Sequence, residues 1–119
     1  MTLARGIPLS IHGALEVVLA PAVMVAPFVL GFGQAATVIA VAFGALLMAL
    51  ALQVEGSRRA VPISAHADFD YALAAFAIFG GLAIGIGASA WGEGAFLVGV
   101  GIVQVMLTVS TRFTRASEA

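Results

Sequence analysis

Four long apolar stretches follow one another along the chain, and short segments containing most of the polar residues separate them. We predict helices over about residues 8–30, 35–53, 64–86 and 91–110. Each stretch holds the roughly 20 predominantly apolar residues that a helix needs to cross the hydrocarbon core of a bilayer. The pattern therefore predicts an all-α, polytopic membrane protein with four transmembrane helices in a single domain, residues 1–119.

The composition supports this class and excludes others. Of the 119 residues, 62% are hydrophobic and 9% are charged, whereas a soluble domain has about a quarter of its residues charged. The chain contains no cysteine, so it has no disulfide, thiolate metal site or iron–sulfur cluster. Five scattered arginines give no nucleic-acid footprint. We expect a non-enzymatic protein whose main partner is the lipid bilayer, with no nucleic acid partner.

The arginines all fall on one side of the predicted topology. Arg5 precedes the first span, Arg58 and Arg59 lie between the second and third, and Arg112 and Arg115 follow the fourth. The other two connections contain no basic residue. Because positive charge is enriched on the cytoplasmic side of membrane proteins, the sequence predicts that both termini are cytoplasmic.

The two halves of the chain are related by an internal repeat. A shift of 54 residues aligns residues 7–12 with residues 61–66 and places Glu16 opposite Asp70. After a three-residue insertion in the second outer loop, Gly44 falls opposite Gly101. Repeat 1 covers about residues 7–56 and repeat 2 about residues 61–112. Each repeat holds two spans, so we expect two tandem, parallel-related helical hairpins that enter the membrane from the same side.

The first span ends in the triplet Ala26-Pro27-Phe28, which an apolar stretch and a glycine follow. This resembles the SPW-repeat family of small bacterial integral membrane proteins, whose hairpins carry a Ser-Pro-Trp triplet. In the second repeat the aligned triplet is Gly80-Gly81-Leu82, which lacks the motif. The resemblance implies a hairpin fold and a multi-pass location in the bacterial cytoplasmic (inner) membrane, and it implies no activity.

Proline and glycine are expected to shape the packing of the four helices. Pro27 should bend the end of the first span. Glycines within the spans permit close backbone approach between helices; those selected are Gly44, Gly80, Gly81, Gly99 and Gly101. A bundle this small, with smooth glycine-lined surfaces, is expected to work as a homo-oligomer or as an accessory subunit of a membrane-protein partner.

Four ionisable residues stand inside the predicted spans, as His12-x-x-x-Glu16 and His66-x-x-x-Asp70. A spacing of four residues places each pair on one face of its helix. Because an ionisable group in the hydrocarbon region is costly, such residues usually face the bundle interior. Parallel hairpins place all four side chains near the cytoplasmic side, at similar depth. Gln104 and Thr108 in the fourth span are expected to make interhelical hydrogen bonds or hydrogen bonds back to the backbone.

Three interpretations of these four residues stay open at this point. In the first, each acid bonds its own histidine, and the two pairs remain apart as structural elements. In the second, the four groups bind a metal ion, or His12 and His66 ligate a b-type haem, since imidazole and carboxylate suit zinc, iron or manganese. In the third, Glu16 and Asp70 exchange protons in a small proton-coupled transporter or channel.

Overall fold

The computed structural model describes residues 6–55 and 63–113. Its elements are four α-helices: α1, Leu9–Leu30; α2, Gln34–Glu55; α3, Ile63–Leu82; and α4, Trp91–Val109. A π-helical turn, Ala83–Gly87, continues α3. Four segments are long and apolar enough to cross a membrane, the third of them spanning Ala65–Gly87. The predicted all-α class with four span-forming helices is confirmed, with boundaries shifted by a few residues.

The bundle is apolar outside and polar at one place inside. Large apolar side chains that are 64–75% exposed include Val18, Phe28, Val29, Phe79 and Met106. Among the described residues, the polar side chains that are 0% exposed are His12, Glu16, Asp70, Gln104 and Thr111. A water-soluble protein shows the reverse distribution, because charged residues are almost never fully buried unless they are paired. The distribution therefore fits a multi-pass membrane protein.

Glycines allow the helices to approach closely at equivalent places in the two halves. A Cβ added at Gly44 would lie 2.7 Å from the carbonyl oxygen of Ala20, so α2 touches the backbone of α1. A Cβ at Gly101 would lie 2.8 Å from the carbonyl oxygen of Ala74, so α4 touches the backbone of α3 in the same way. At Gly81 the corresponding distance, to the carbonyl oxygen of Gly94, is 2.7 Å. No side chain larger than hydrogen fits at these three positions without moving backbone.

Two of the selected glycines have different surroundings. A Cβ at Gly80 would meet only the Ile39 side chain, at 3.2 Å, where α3 passes α2. Gly99 is exposed, and a Cβ there would have nothing within 4 Å among the described residues. Gly99 therefore makes no close helix contact among the described residues, and its role as a packing position stays a prediction.

Pro27 lies inside α1, which continues beyond it for one turn. The Pro27 carbonyl accepts hydrogen bonds from the N–H groups of Gly31 and, at 2.8 Å, Phe32. Gly31 has a φ of 70° and closes the helix in the left-handed conformation that glycine adopts without a Cβ penalty. The region around Pro27 therefore leads directly into the tight turn before α2.

The start of α1 lies beside the end of α4. The Ile7 N–H donates to the Ser110 carbonyl at 3.0 Å, and the Arg112 N–H donates to the Ile7 carbonyl at 2.9 Å. At the opposite end of the bundle, the Gly33 N–H donates to the Glu93 carboxylate at 3.2 Å. Hydrogen bonds thus join the two halves of the chain at both ends of the bundle.

Several residues used in the sequence-based predictions lie outside the described residues. They are Arg5, Arg58, Arg59 and Arg115, which set the predicted orientation, together with residues 56, 61 and 62 at the repeat boundaries. Arg112 is described and is exposed. The predicted cytoplasmic location of both termini therefore stays a prediction.

Candidate functional site

The four predicted ionisable residues meet in one buried cluster. His12 and Glu16 lie one turn apart near the start of α1, and His66 and Asp70 lie one turn apart near the start of α3. His12, Glu16 and Asp70 are 0% exposed and His66 is 3% exposed. One potential ligand atom from each side chain lies within 4.8 Å of the other three. We call these four residues the His–acid cluster.

Each imidazole contacts the carboxylate of its own helix and the carboxylate of the other helix. His12 Nε2 lies 2.9 Å from Glu16 Oε2 and 2.9 Å from Asp70 Oδ2. His66 Nε2 lies 3.4 Å from Glu16 Oε1 and 3.2 Å from Asp70 Oδ2. The two rings meet edge to face, with centroids 5.7 Å apart. The pairs do not stay apart, so purely local pairing within each helix does not describe the site.

Helix α4 contributes two further side chains to the site. Gln104 donates through Nε2 to Glu16 Oε2 at 2.8 Å. Thr111 donates through Oγ1 to the Leu107 carbonyl at 2.6 Å and lies 2.8 Å from His12 Nδ1. Gln104 makes an interhelical hydrogen bond as expected, and its partner is a carboxylate of the cluster. Thr111 was not predicted from the sequence. The spacing of Gln104, Thr108 and Thr111, at intervals of four and three residues, places them on one helix face and could have indicated its role.

The hydrogen bonds around His12 define where protons lie. The single hydroxyl proton of Thr111 goes to Leu107, so Thr111 Oγ1 accepts the bond from His12 Nδ1–H. His12 Nε2 then faces two carboxylate oxygens. A carboxylate without a proton only accepts hydrogen bonds. Either Nε2 carries a proton or one acid does, so at least one further proton lies among His12, Glu16 and Asp70.

The segment after α4 covers the cluster. The Phe113 ring centroid lies 5.1 Å from that of His12 and 6.0 Å from that of His66. The bridge of Ile7 to Ser110 and Arg112 holds this segment in place. Phe113 and the bridge therefore lie between the His–acid cluster and the end of the bundle.

Three buried oxygen atoms at and near the cluster have no hydrogen-bond partner among the described residues. They are Asp70 Oδ1, Gln104 Oε1 and Thr108 Oγ1. Buried polar atoms are nearly always satisfied by protein, water or an ion. The unpartnered oxygen of Asp70 belongs to a side chain that is 0% exposed. The site thus has unused capacity for a water molecule or a cation.

The cluster offers a donor set suited to a small divalent cation. Two imidazole nitrogens and two carboxylates are ligands that Zn²⁺ accepts in tetrahedral sites, with bonds of about 2.0–2.2 Å. Ligand atoms of a tetrahedron with such bonds lie about 3.3–3.6 Å apart. The described contacts between nitrogen and oxygen are 2.9–3.4 Å, and all four ligand atoms lie within 4.8 Å of one another, so the atoms that are farthest apart would have to move closer around an ion.

Comparison with known proteins adds no relative. No protein-family model, curated protein or solved structure matches this chain. A function is therefore inferred from the chemistry of the buried cluster and from the four helices that are long and apolar enough to cross a membrane.

Proposed function

We propose that this chain is a small, non-enzymatic integral membrane protein that binds one divalent transition-metal ion in its His–acid cluster. The observation that carries the proposal is the convergence of four ligand atoms from two helices within 4.8 Å of one another, in a fully enclosed place. The unpartnered buried oxygen of Asp70 gives the site further capacity for a cation or a water molecule.

Charge balance is compatible with a dication. Without a metal, protons among His12, Glu16 and Asp70 reduce the negative charge of the carboxylates; when a metal displaces these protons, two ionised carboxylates and two neutral imidazoles sum to a charge of −2, which is unfavourable to bury uncompensated in the membrane. One Zn²⁺, Fe²⁺ or Mn²⁺ ion neutralises it, and all three accept imidazole and carboxylate ligands. Zn²⁺ suits the site best because four protein ligands in a closed tetrahedral arrangement are typical of structural zinc.

The geometry disfavours the other two interpretations that assign a function to the cluster. Both Nε2 atoms contact the same Asp70 oxygen, at 2.9 and 3.2 Å. A porphyrin ligated by His12 and His66 would have to occupy the space that this carboxylate fills. A proton-coupled transporter must expose Glu16 and Asp70 to water on each side of the membrane in turn, and both side chains are 0% exposed; a resident ion needs access only once.

The proposal is tested by measuring zinc binding to the full-length chain in nanodiscs. We expect one Zn²⁺ per chain, determined by metal analysis and by competition with a chromophoric chelator. Asp70→Asn should weaken binding by at least about 100-fold, because it removes a ligand and even loss of an outer partner weakens binding 10–100-fold. His66→Gln gives a second test should Asp70→Asn fail to fold.

Asp68→Asn is the matched control. Asp68 lies two residues from Asp70 on α3 but is exposed, so its loss should leave zinc affinity unchanged. The proposal fails if the wild-type chain binds no zinc above empty nanodiscs, or if Asp70→Asn and Asp68→Asn bind equally. A Soret band in the purified protein would instead support the haem interpretation.

We also propose that the cluster lies near the cytoplasmic side of a bacterial inner membrane, with both termini cytoplasmic and two parallel-related hairpins. The arginine asymmetry and the pairing of Ile7 with Ser110 and Arg112 at one end of the bundle support this. Reporter fusions at the C-terminus and at Ser89 should report opposite compartments. Two fusions in one compartment would contradict the topology. Membership of the SPW-repeat family stays a prediction.

An assembled state is part of the same proposal. Many large apolar side chains of the described residues are exposed, and α4 presents Gly99 to the outside. Small exposed residues on a span allow another helix to pack closely. Native mass spectrometry from nanodiscs should show a homo-oligomer or a co-purifying membrane partner, whereas a strict monomer alone would contradict this.

A further inference from the structure

Thr111 lies just beyond α4, yet its side chain is fully buried. It is 0% exposed, and its hydroxyl oxygen accepts the His12 Nδ1–H bond at 2.8 Å. A threonine after the end of a spanning helix would ordinarily face the aqueous interface. Its burial beside His12 indicates that the hydroxyl has a role toward that imidazole.

We propose that Thr111 is a positioning residue for the metal site: its hydroxyl fixes the tautomer of His12 so that Nε2 is the metal ligand. This rests on the proposed function. Metal-ligating histidines almost always donate their other ring N–H to a carboxylate, carbonyl or similar acceptor, which sets ring orientation and tautomer. Thr111 provides that acceptor for His12.

The Thr111 hydroxyl can act only as an acceptor toward His12. Its own proton is held by the Leu107 carbonyl at 2.6 Å, which lies one turn back on α4. The lone pairs of Oγ1 are therefore left facing Nδ1, and Nδ1 must carry the hydrogen. The Nε2 atom then faces Glu16 and Asp70 at 2.9 Å, where the cation would lie.

The backbone bridge between the two ends of the described chain, at one end of the bundle, fixes the position of Thr111. The residues on either side of it, Ser110 and Arg112, make the two hydrogen bonds to Ile7. Ile7 precedes α1, the helix that carries His12 and Glu16. Metal binding at His12 is therefore linked to the pairing of the two ends of the described chain.

Thr111→Val and Thr111→Ser separate this role from simple packing. Valine has nearly the shape of threonine but no acceptor, so His12 would shift its proton to Nε2 and bond a carboxylate. Zinc binding must then reverse that shift, and we expect zinc affinity to fall about 10–100-fold. Serine keeps the hydroxyl, so Thr111→Ser should bind zinc as the wild-type chain does.

The ¹⁵N NMR signals of His12 provide a readout that packing alone does not move. In the zinc-loaded wild-type chain, Nδ1 should carry a proton and Nε2 should be metal-bound. In the zinc-free chains, Nδ1 should carry a proton in the wild type and none in Thr111→Val, where Nε2 carries it instead, while the signals of His66 are the same in both. Thermal unfolding of the zinc-free variants checks that all three proteins are folded.

The outcomes distinguish this inference from the proposed function. A wild-type chain that binds no zinc overturns both. A wild-type chain that binds zinc, with Thr111→Val binding equally tightly, overturns the positioning role alone. Equal losses in Thr111→Val and Thr111→Ser also overturn it, because the serine variant retains the acceptor.

Discussion

Replacing Gly101 by alanine should force α4 away from α3. The added Cβ would lie 2.8 Å from the Ala74 carbonyl oxygen and 3.1 Å from the Ile78 nitrogen, where ordinary contact begins at 3.4 Å. Both atoms are backbone, so neither can rotate aside, and α4 must retreat by several tenths of an ångström. Overpacking of this kind costs about 1–3 kcal/mol in free energy of unfolding.

Gly99→Ala is the matched control, since a Cβ there meets nothing within 4 Å. Within one chain it reports the gain in helix propensity, up to about 1 kcal/mol, and the comparison is made at a detergent excess that separates the chains, where no partner helix contacts Gly99. We therefore expect Gly101→Ala to be less stable than Gly99→Ala by about 1–3 kcal/mol, measured by reversible unfolding in mixed micelles of mild detergent and SDS followed by circular dichroism. Retreat of α4 also draws Gln104 away from Glu16, so zinc affinity should fall in Gly101→Ala only. Equal stability of the two variants would refute the close approach of α3 and α4.

Three further predictions concern the turn before α4, the hydrogen bond between Gly33 and Glu93, and the metal site. Ser89 has a φ of 55°, so Ser89→Gly should be more stable than Ser89→Val by at least about 1–2 kcal/mol, the cost of a Cβ in the left-handed conformation; equal unfolding midpoints of these two variants would contradict this. Glu93→Ala removes the acceptor of the Gly33 N–H and should cost about 0.5–1.5 kcal/mol in the same unfolding assay, while Glu93→Gln keeps an acceptor and should cost less. Zinc affinity should fall as the pH is lowered from about 8 to 6, because protons compete with the metal for imidazole and carboxylate; chelator competition that gives one affinity throughout would argue against these ligands.

The members of the cluster on α1 and α3 could be predicted from the sequence because two periodicities agree. The spacing of four residues places His12 with Glu16 on one helix face, and the 54-residue shift brings the same pattern to His66 and Asp70. Neither periodicity determines how the helices rotate against each other. The crossed contacts of His12 with Asp70 and of His66 with Glu16 therefore had to come from the structure.

The contribution of α4 was harder to predict. Gln104 belongs to no repeated motif, and Thr111 lies beyond the helix, where its position depends on the backbone bridge to Ile7. Such a bridge joins residues far apart in sequence through main-chain atoms, so no pattern of side chains predicts it. The polar spacing of Gln104, Thr108 and Thr111 on an apolar helix was the available clue.

Helix boundaries and glycine contacts could also be predicted only in part from the sequence. Length and hydropathy placed all four spans, but the third was expected to run to residue 86 as one helix. The structure ends α3 at Leu82 and continues as a π-helical turn over Ala83–Gly87. Composition likewise marked Gly99 and Gly101 alike, although only Gly101 faces a neighbouring backbone, because helix rotation separates two residues that are adjacent in the pattern.

Zinc K-edge X-ray absorption of the full-length chain, loaded with Zn²⁺ in nanodiscs and freed of loosely bound metal, tests the central claim most directly. The proposed site predicts four nitrogen and oxygen ligands at about 2.0–2.2 Å, with the multiple scattering of two imidazoles. A chain that retains no zinc, or zinc surrounded by oxygen atoms alone without imidazole scattering, would contradict metal binding by the His–acid cluster.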